Sequence, residues 1–333
     1  MSESGVVDFR EAGLVPSSPL MDPSPACPIC AGTDSERVDS LSPAELVQLH
    51  EHMGVRLTAA ACESFRGAGK VHHLRCRACG FQFFDPVLPG NAAFYRDLQD
   101  QLECYYPDDS PSFFLALDLA KRTGARTVMD LGCGAGRFLD RAREAGLQTH
   151  GLDLNDQAVA AARARGHDVM SGTAEAFAAS QPTSRFDLVT AFEVLEHLAD
   201  PAAFLRDAAR LVRPGGHLAI AVPNDEGIYR WFQLEPRQWP PHHLSRWRRS
   251  DLRRLGERAG LEVVTLCADA LRGVQIGGTL RTQGELEQRI GRRSSPPGRL
   301  WPALATFLYR AGLCRLYLQL GNSLHAHYRK PEA

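Results

Sequence analysis

Residues Val128–Leu139 read Val-Met-Asp-Leu-Gly-Cys-Gly-Ala-Gly-Arg-Phe-Leu, and this stretch constrains the chain more than any other. Its first residues are apolar apart from Asp130, as in a buried strand. Gly132, Gly134 and Gly136 then alternate, and an apolar-periodic segment follows. The reading is a strand, a tight glycine turn and a helix N-terminus. Glycine tolerates positive φ and lets a ligand approach the backbone closely. Free N–H groups and the positive end of the helix dipole are expected to face that ligand. The turn is therefore expected to seat a nucleotide-like cofactor. The dinucleotide fingerprint G-x-G-x-x-G is broken, because the third glycine comes one residue early and Arg137 takes its place. The Gly-Lys-Ser/Thr of a phosphate loop is absent. Thr149–Asp153 reads as a second strand closing on an acid, about 20 residues past the glycines, where a ribose-hydroxyl acceptor is required.

Asp130, Gly132, Gly134, Gly136 and Asp153 together resemble the first motif and the ribose acid of the class I S-adenosylmethionine (SAM)-dependent methyltransferases. The resemblance implies SAM as cofactor and a methyl-transfer enzyme. Strand-like and helix-like segments alternate from residue 127 to 222, which means a parallel sheet with helices on both faces. The expected fold is α/β: a doubly wound, seven-stranded Rossmann-like methyltransferase sheet, preceded by a small zinc-ribbon module. Ligands in such sheets bind beyond the strand carboxyl ends. Gly132–Gly136, Asp153, Thr173, Phe192–His197 and Pro223–Asn224 all fall there. Relatives often carry Gly-Asp-Ala-Glu where this chain has Gly172-Thr-Ala-Glu175. Thr173 thus replaces the acid that bonds the adenine amine, leaving the backbone at Ala174 to read the base. Phe192 completes the expected cofactor set. Asn322–Arg329 is expected as the seventh strand, which in this family inserts antiparallel beside the sixth.

Nine cysteines are an odd count, and four of them form the pairs Cys27-Pro-Ile-Cys30 and Cys76-Arg-Ala-Cys79. Two such knuckles can bring four thiolates to one tetrahedral zinc with no open position, a structural site. That usage suits a reducing compartment, and cytoplasmic location is the default. The gap between the knuckles needs an insertion, and Ser42-Pro-Ala-Glu45 reads as a capping box opening a short helix there. The expected organisation is a disordered tail over 1–25, the ribbon with its helical insertion over 26–90, and a linker with a leading helix over 91–123. The methyltransferase domain fills 124–333. Phe94-Tyr95 and Tyr105-Tyr106 are placed in the linker. The paired knuckles, aromatic strand and Tyr-Tyr linker resemble methyltransferases with an N-terminal zinc ribbon. By that resemblance Tyr105 or Tyr106 covers the cofactor pocket or packs the domain junction.

Within the catalytic domain, residues 225–247 are rich in Pro and Trp and read as a substrate-facing lid, too irregular for a sheet element. Residues 273–321 read as a helical insertion. Arginines 246, 248, 249, 253, 254 and 258 read as a solvated helix face rather than a nucleic-acid patch. A formal charge of −1 provides no field to recruit nucleic acid or membrane, and no apolar run reaches transmembrane length. The expected partner is a small-molecule acceptor, a sugar or secondary metabolite methylated at oxygen or carbon. The rivals are an RNA methyltransferase and a zinc-ribbon adaptor that binds cofactor without turnover. Glu196, His197, His242 and His243 are the candidate bases, since imidazole near neutral pKa suits that role. Glu193-x-x-Glu196-His197 with His243 also resembles the sites of some ubiquinone-pathway and small-RNA methyltransferases, where a divalent cation holds substrate oxygens.

Overall fold

A computed structural model describes residues 25–102, 109–180, 185–227, 234–269 and 321–332. Tyr105, Tyr106 and nearly all of the expected tail and helical insertion lie outside the described residues. The N-terminal part runs β1 (Ser35–Leu41), α1 (Pro43–His52), α2 (Ala59–Cys62), β2 (Val71–Cys76), β3 (Gln82–Asp85) and α3 (Ala92–Gln101). The catalytic part continues with α4 (Pro111–Thr123), β4 (Thr127–Leu131), α5 (Arg137–Glu144), β5 (Gln148–Asp153), α6 (Asp156–Ala164), β6 (Asp168–Ser171) and α7 (Ala174–Ser180). It ends with β7 (Phe186–Phe192), α8 (Pro201–Leu211), β8 (Val212–Pro223), β9 (Ser245–Arg246), α9 (Arg249–Arg258), β10 (Glu262–Ala268) and β11 (Ser323–Arg329).

Local chemistry sets many of these boundaries. Ser42 and Glu45 form a reciprocal capping box on α1, with Pro43 in the first turn. Asn155 caps α6 and Asp200 caps α8, each accepting backbone N–H groups that have no helical partner. Phe94 and Tyr95 lie on helix α3, capped by Asn91, and not in a linker.

The large sheet has the order β10-β11-β8-β7-β4-β5-β6. The pairs β4–β5, β5–β6, β4–β7 and β7–β8 are parallel, and β11 lies antiparallel between β8 and β10. The chain winds outward in both directions from the β4–β7 pair. The carboxyl ends of β4 and β7 are thus the switch point, where a crevice opens.

A second sheet has the order β1-β2-β3-β9. Its last strand comes from the segment expected to be a lid: Gln82 pairs with Arg246 and Phe83 with Ser245. Part of that segment is therefore a sheet element, because it completes the edge that β3 leaves open. Gln82 Nε2 also donates to Asp225 Oδ2 at 2.6 Å, and Arg254 donates to the Cys79 carbonyl at 2.9 Å. One buried apolar cluster runs from Cys27, Ile29, Cys76 and Phe81 into Trp247, Leu252, Val222 and Tyr328. The cysteine-bearing module and the large sheet share that core.

Arg246 corrects the expectation of a solvated arginine face. It precedes α9 and is 2% exposed, its guanidinium over the rings of Phe84 and Trp239 at 5.5 and 5.6 Å. The two aromatic faces and Asp225, 4.0 Å away, offset its lost hydration. Arg253 and Arg258 do face solvent.

Candidate active site

The end of β4 builds one wall of the crevice. Gly132, Gly134 and Gly136 have φ of 79°, 52° and 82°, values that a side chain resists. A Cβ on Gly132 would strike Val194 at 2.6 Å, and one on Gly136 would strike His167 at 2.8 Å. A Cβ on Gly134 would meet nothing within 4 Å, so the loop is open on that side.

The glycine N–H groups of the loop are taken up within the protein. Gly132 and Cys133 donate to the Leu152 carbonyl, Gly136 to Cys133, and Gly134 to Asp153 Oδ2 at 2.8 Å. These four amides are satisfied within the protein, while the first turn of α5 has no side-chain cap. Acids dominate instead, which suits a cationic ligand. Asp153 stands at the end of β5, its Oδ1 accepting from Asn155 N–H at 2.8 Å. Asp130 is 3% exposed and accepts the Thr190 hydroxyl at 2.7 Å. Burial pushes its carboxyl up to about 7, with Asp153 adding to the rise.

Further along the sheet edge, Thr173 is exposed, and its hydroxyl accepts the Ala176 N–H at 3.1 Å, opening α7. Ala174 is buried in the core beneath it. Phe192 packs edge-on against Phe138 at 5.0 Å.

The raised Asp130 has a stability consequence. The folded chain keeps a proton there that the unfolded chain releases above about 3.9. The protection is therefore complete below that value and is lost as pH rises to about 7. Asp130→Asn keeps an acceptor for Thr190 and removes the titration. Its stability relative to the parent should climb between pH 4 and 7, by up to roughly 1.4 kcal/mol per unit, and level off above. Urea melts of both proteins across that range test this; parallel curves would refute it.

The end of β7 builds the facing wall. Glu193 has a φ of 54°, unusual for a side-chain-bearing residue, and accepts the Ser323 hydroxyl at 3.0 Å. Its edge meets solvent, yet crowding by protein atoms pushes its carboxyl up to about 7, with Asp269 adding to the rise. Glu196 is fully buried, and apart from the neighbouring Glu193 carboxyl neither of its oxygens has a hydrogen-bond partner. Burial, and then Glu193, hold it well above the usual carboxylate range. Its Oε1 lies 3.8 Å from His197 Nε2 and 4.0 Å from His243 Nε2, both too long for hydrogen bonds.

Three imidazoles crowd this carboxylate. A potential ligand atom from each of His197, His242 and His243 falls within 4.8 Å of the others. The nitrogen His197 Nδ1 meets the His242 carbonyl at 2.6 Å, and His242 Nδ1 meets the Arg237 carbonyl at 3.0 Å. A carbonyl only accepts, so both Nδ1 atoms carry the proton and both Nε2 atoms the lone pair. Burial lowers all three histidines, His197 to about 4, so they are neutral near pH 7. The backbone ties this cluster to the cysteine-bearing module. Leu244 N–H donates to the Glu196 carbonyl at 2.6 Å, and Phe84 N–H donates to the Leu244 carbonyl at 3.2 Å.

The four thiols Cys27, Cys30, Cys76 and Cys79 come together as the knuckles imply. The Cys27–Cys79 and Cys30–Cys76 sulfurs stand 3.6 and 3.5 Å apart. A disulfide requires about 2.05 Å. Tetrahedral ligands at about 2.3 Å from a zinc are about 3.8 Å apart, so the set is compatible with that ion.

Comparison with known proteins identifies the family. A family profile described as a methyltransferase domain matches residues 98–266, half of the chain. This chain belongs to that methyltransferase family. The four cysteines precede the matched stretch. A ubiquinone biosynthesis O-methyltransferase of Nitrosospira multiformis is 33% identical over 165 residues, 44% of this chain and 67% of that protein. One of Rhodopseudomonas palustris is 31% identical over 197 residues, 53% of this chain and 73% of its own length. Against one of Serratia proteamaculans the identity is 38% over 107 residues, and the chain spans less than half of that relative, 43%. A SAM-dependent methyltransferase of Archaeoglobus fulgidus overlays with a TM-score of 0.48 at 17% identity, over 72% of this chain and all of that one. The protein is a class I SAM-dependent methyltransferase. Among the described residues no helix is long and apolar enough to cross a membrane.

Two residues at the crevice of this methyltransferase carry no functional signal in the sequence. Tyr95 was visible as an aromatic but not as a neighbour of His197, its hydroxyl 3.3 Å from Nδ1. Ser323, against Glu193, comes from β11 and carries no motif.

Proposed function

We propose that this methyltransferase moves the methyl group of SAM to a hydroxyl oxygen of a small-molecule acceptor. The observation that carries the reading is Glu196: a buried carboxyl with no partner beyond the Glu193 carboxyl, faced by neutral imidazoles. An unpaired buried polar group costs about 1–3 kcal/mol and suggests a missing partner. An acceptor hydroxyl, or a cation that holds one, fits that gap. The relatives named as O-methyltransferases support oxygen over carbon.

On the cofactor side, Asp130, Gly132, Gly134, Gly136 and Asp153 would hold SAM, with Thr173, Ala174 and Phe192 along the adenine side. The open face at Gly134 leaves room, and two acids beside it fit a ligand with an ammonium and a sulfonium. SAM supplies the methyl group as an electrophile. The protein holds the acceptor oxygen in line and excludes water, worth about 7–11 kcal/mol in favourable cases. His197 stands ready to receive the acceptor proton on Nε2, with His243 beside it. Their low pKa makes them weak bases, which favours the cation reading. Glu196, His197 and His243, with Glu193 beside them, fit a divalent ion, since the set offers carboxylates and pre-oriented imidazoles. Such an ion would lower the pKa of a bound hydroxyl. The four cysteines would hold a structural zinc.

The test is transfer from methyl-tritiated SAM to three acceptor panels: hydroxylated aromatics, nucleoside-diphosphate sugars and small RNA. The expected product is an O-methylated small molecule. Label in RNA alone, or on carbon, would overturn the proposal.

A further inference from the structure

Two aromatic residues of α3 reach the histidine cluster from the cysteine-bearing module. Phe94 lies against His242 with ring centroids 6.3 Å apart. Tyr95 meets His197 edge-on at 5.9 Å and His242 at 6.1 Å. The Tyr95 hydroxyl is 3.3 Å from His197 Nδ1. That nitrogen already gives its proton to the His242 carbonyl, so the phenol oxygen accepts a second, longer branch of the same N–H.

We infer that Tyr95 is a positioning residue for His197, supplied to the acceptor side of the crevice by the cysteine-bearing module. The imidazole of His197 hangs on one short turn after β7 and keeps about a quarter of its surface exposed. Besides one carbonyl bond the ring has edge-on contacts with His242 and His243 at 4.9 and 5.0 Å, which limit its tilt without a second directional bond. The phenol adds a second point of attachment and a ring edge, which together fix the ring plane and keep Nε2 turned toward Glu196. α3 is itself anchored, since Asp97 accepts from Thr58 N–H at 2.7 Å and from its hydroxyl at 2.9 Å. Phe94 and Leu98 are buried in the module core with Trp239. The orientation of His197 is thereby referred to the folded module rather than to the catalytic sheet alone. The inference rests on His197 belonging to the acceptor site.

Tyr95→Phe tests it, because the ring and its packing stay and only the hydroxyl goes. Three measurements on the full chain separate the outcomes. Calorimetry with SAM should give the parent affinity, since Tyr95 is not on the glycine loop. Long-range proton–nitrogen NMR of labelled histidine should show the His197 Nδ1 resonance shifted and its proton exchanging about tenfold faster. Transfer to a catechol probe should lose about tenfold in kcat with KM for SAM unchanged, the scale seen when a partner orienting a site histidine is removed. An unchanged His197 signal and exchange rate would overturn the inference. If the parent does not methylate the catechol, the O-methylation reading loses support, while the NMR result still decides the role of Tyr95.

Discussion

Cys76→Ser is expected to strip the protein of one tightly held zinc and to unravel the acceptor side of the site with it. Cys76 ends β2 and contributes one of four thiols gathered at van der Waals distance. Structural zinc in isolated fingers is worth about 10–16 kcal/mol of apparent binding, comparable with the whole stability of an ordinary domain. Losing it should release β3, and β9 is paired to β3 through Phe83 and Ser245. His242 and His243 lie just before β9, so their placement goes too. A loss of even about 4 kcal/mol should lower the melting temperature by roughly 10 °C. Metal analysis should fall from one zinc per chain to nearly none, and the emission of the buried Trp239 and Trp247 should shift toward that of solvated indole. Full zinc retention with an unchanged melting curve would remove these cysteines from the metal account.

Glu196→Met should separate stability from activity in opposite directions. Methionine is close to glutamate in volume and needs no hydrogen bond. In the metal-stripped protein Glu196 is buried with only the Glu193 carboxyl as partner, so the variant should be more stable by about 1–3 kcal/mol. Methyl transfer should fall by at least about 10², the usual scale for losing a positioned acid–base group. Added Mn²⁺ should raise the melting temperature of the parent and not of the variant. A variant that melts lower than the parent and still turns over would show that Glu196 is a core residue only. A parent indifferent to Mn²⁺, with activity nonetheless lost in the variant, would favour direct contact between Glu196 and the acceptor.

The features that could be read in advance share a physical origin: each is decided within a few residues. Positive φ at Gly132, Gly134 and Gly136 is a property of glycine, so the turn after β4 was legible. Ser42, Asn155 and Asp200 cap their helices through N–H groups two or three residues away. The cysteine pairs announce their own geometry by spacing. Alternation of elements then implies the parallel sheet, and the sheet implies where a ligand sits.

What the chain order alone determined is therefore the fold class, the glycine turn and the thiol cluster. What only the tertiary structure decided is how the acceptor side is assembled. Tyr95 meets His197 across 102 positions, and Gln82 meets Asp225 across 143. Arg246 reads as one more surface cation until Phe84 and Trp239 close over it. The glycine amides of the loop look free until Asp153 and the Leu152 and Cys133 carbonyls are seen to take them. These outcomes depend on which distant groups compete for the same donor, acceptor or buried volume, and no local pattern in the chain records that competition.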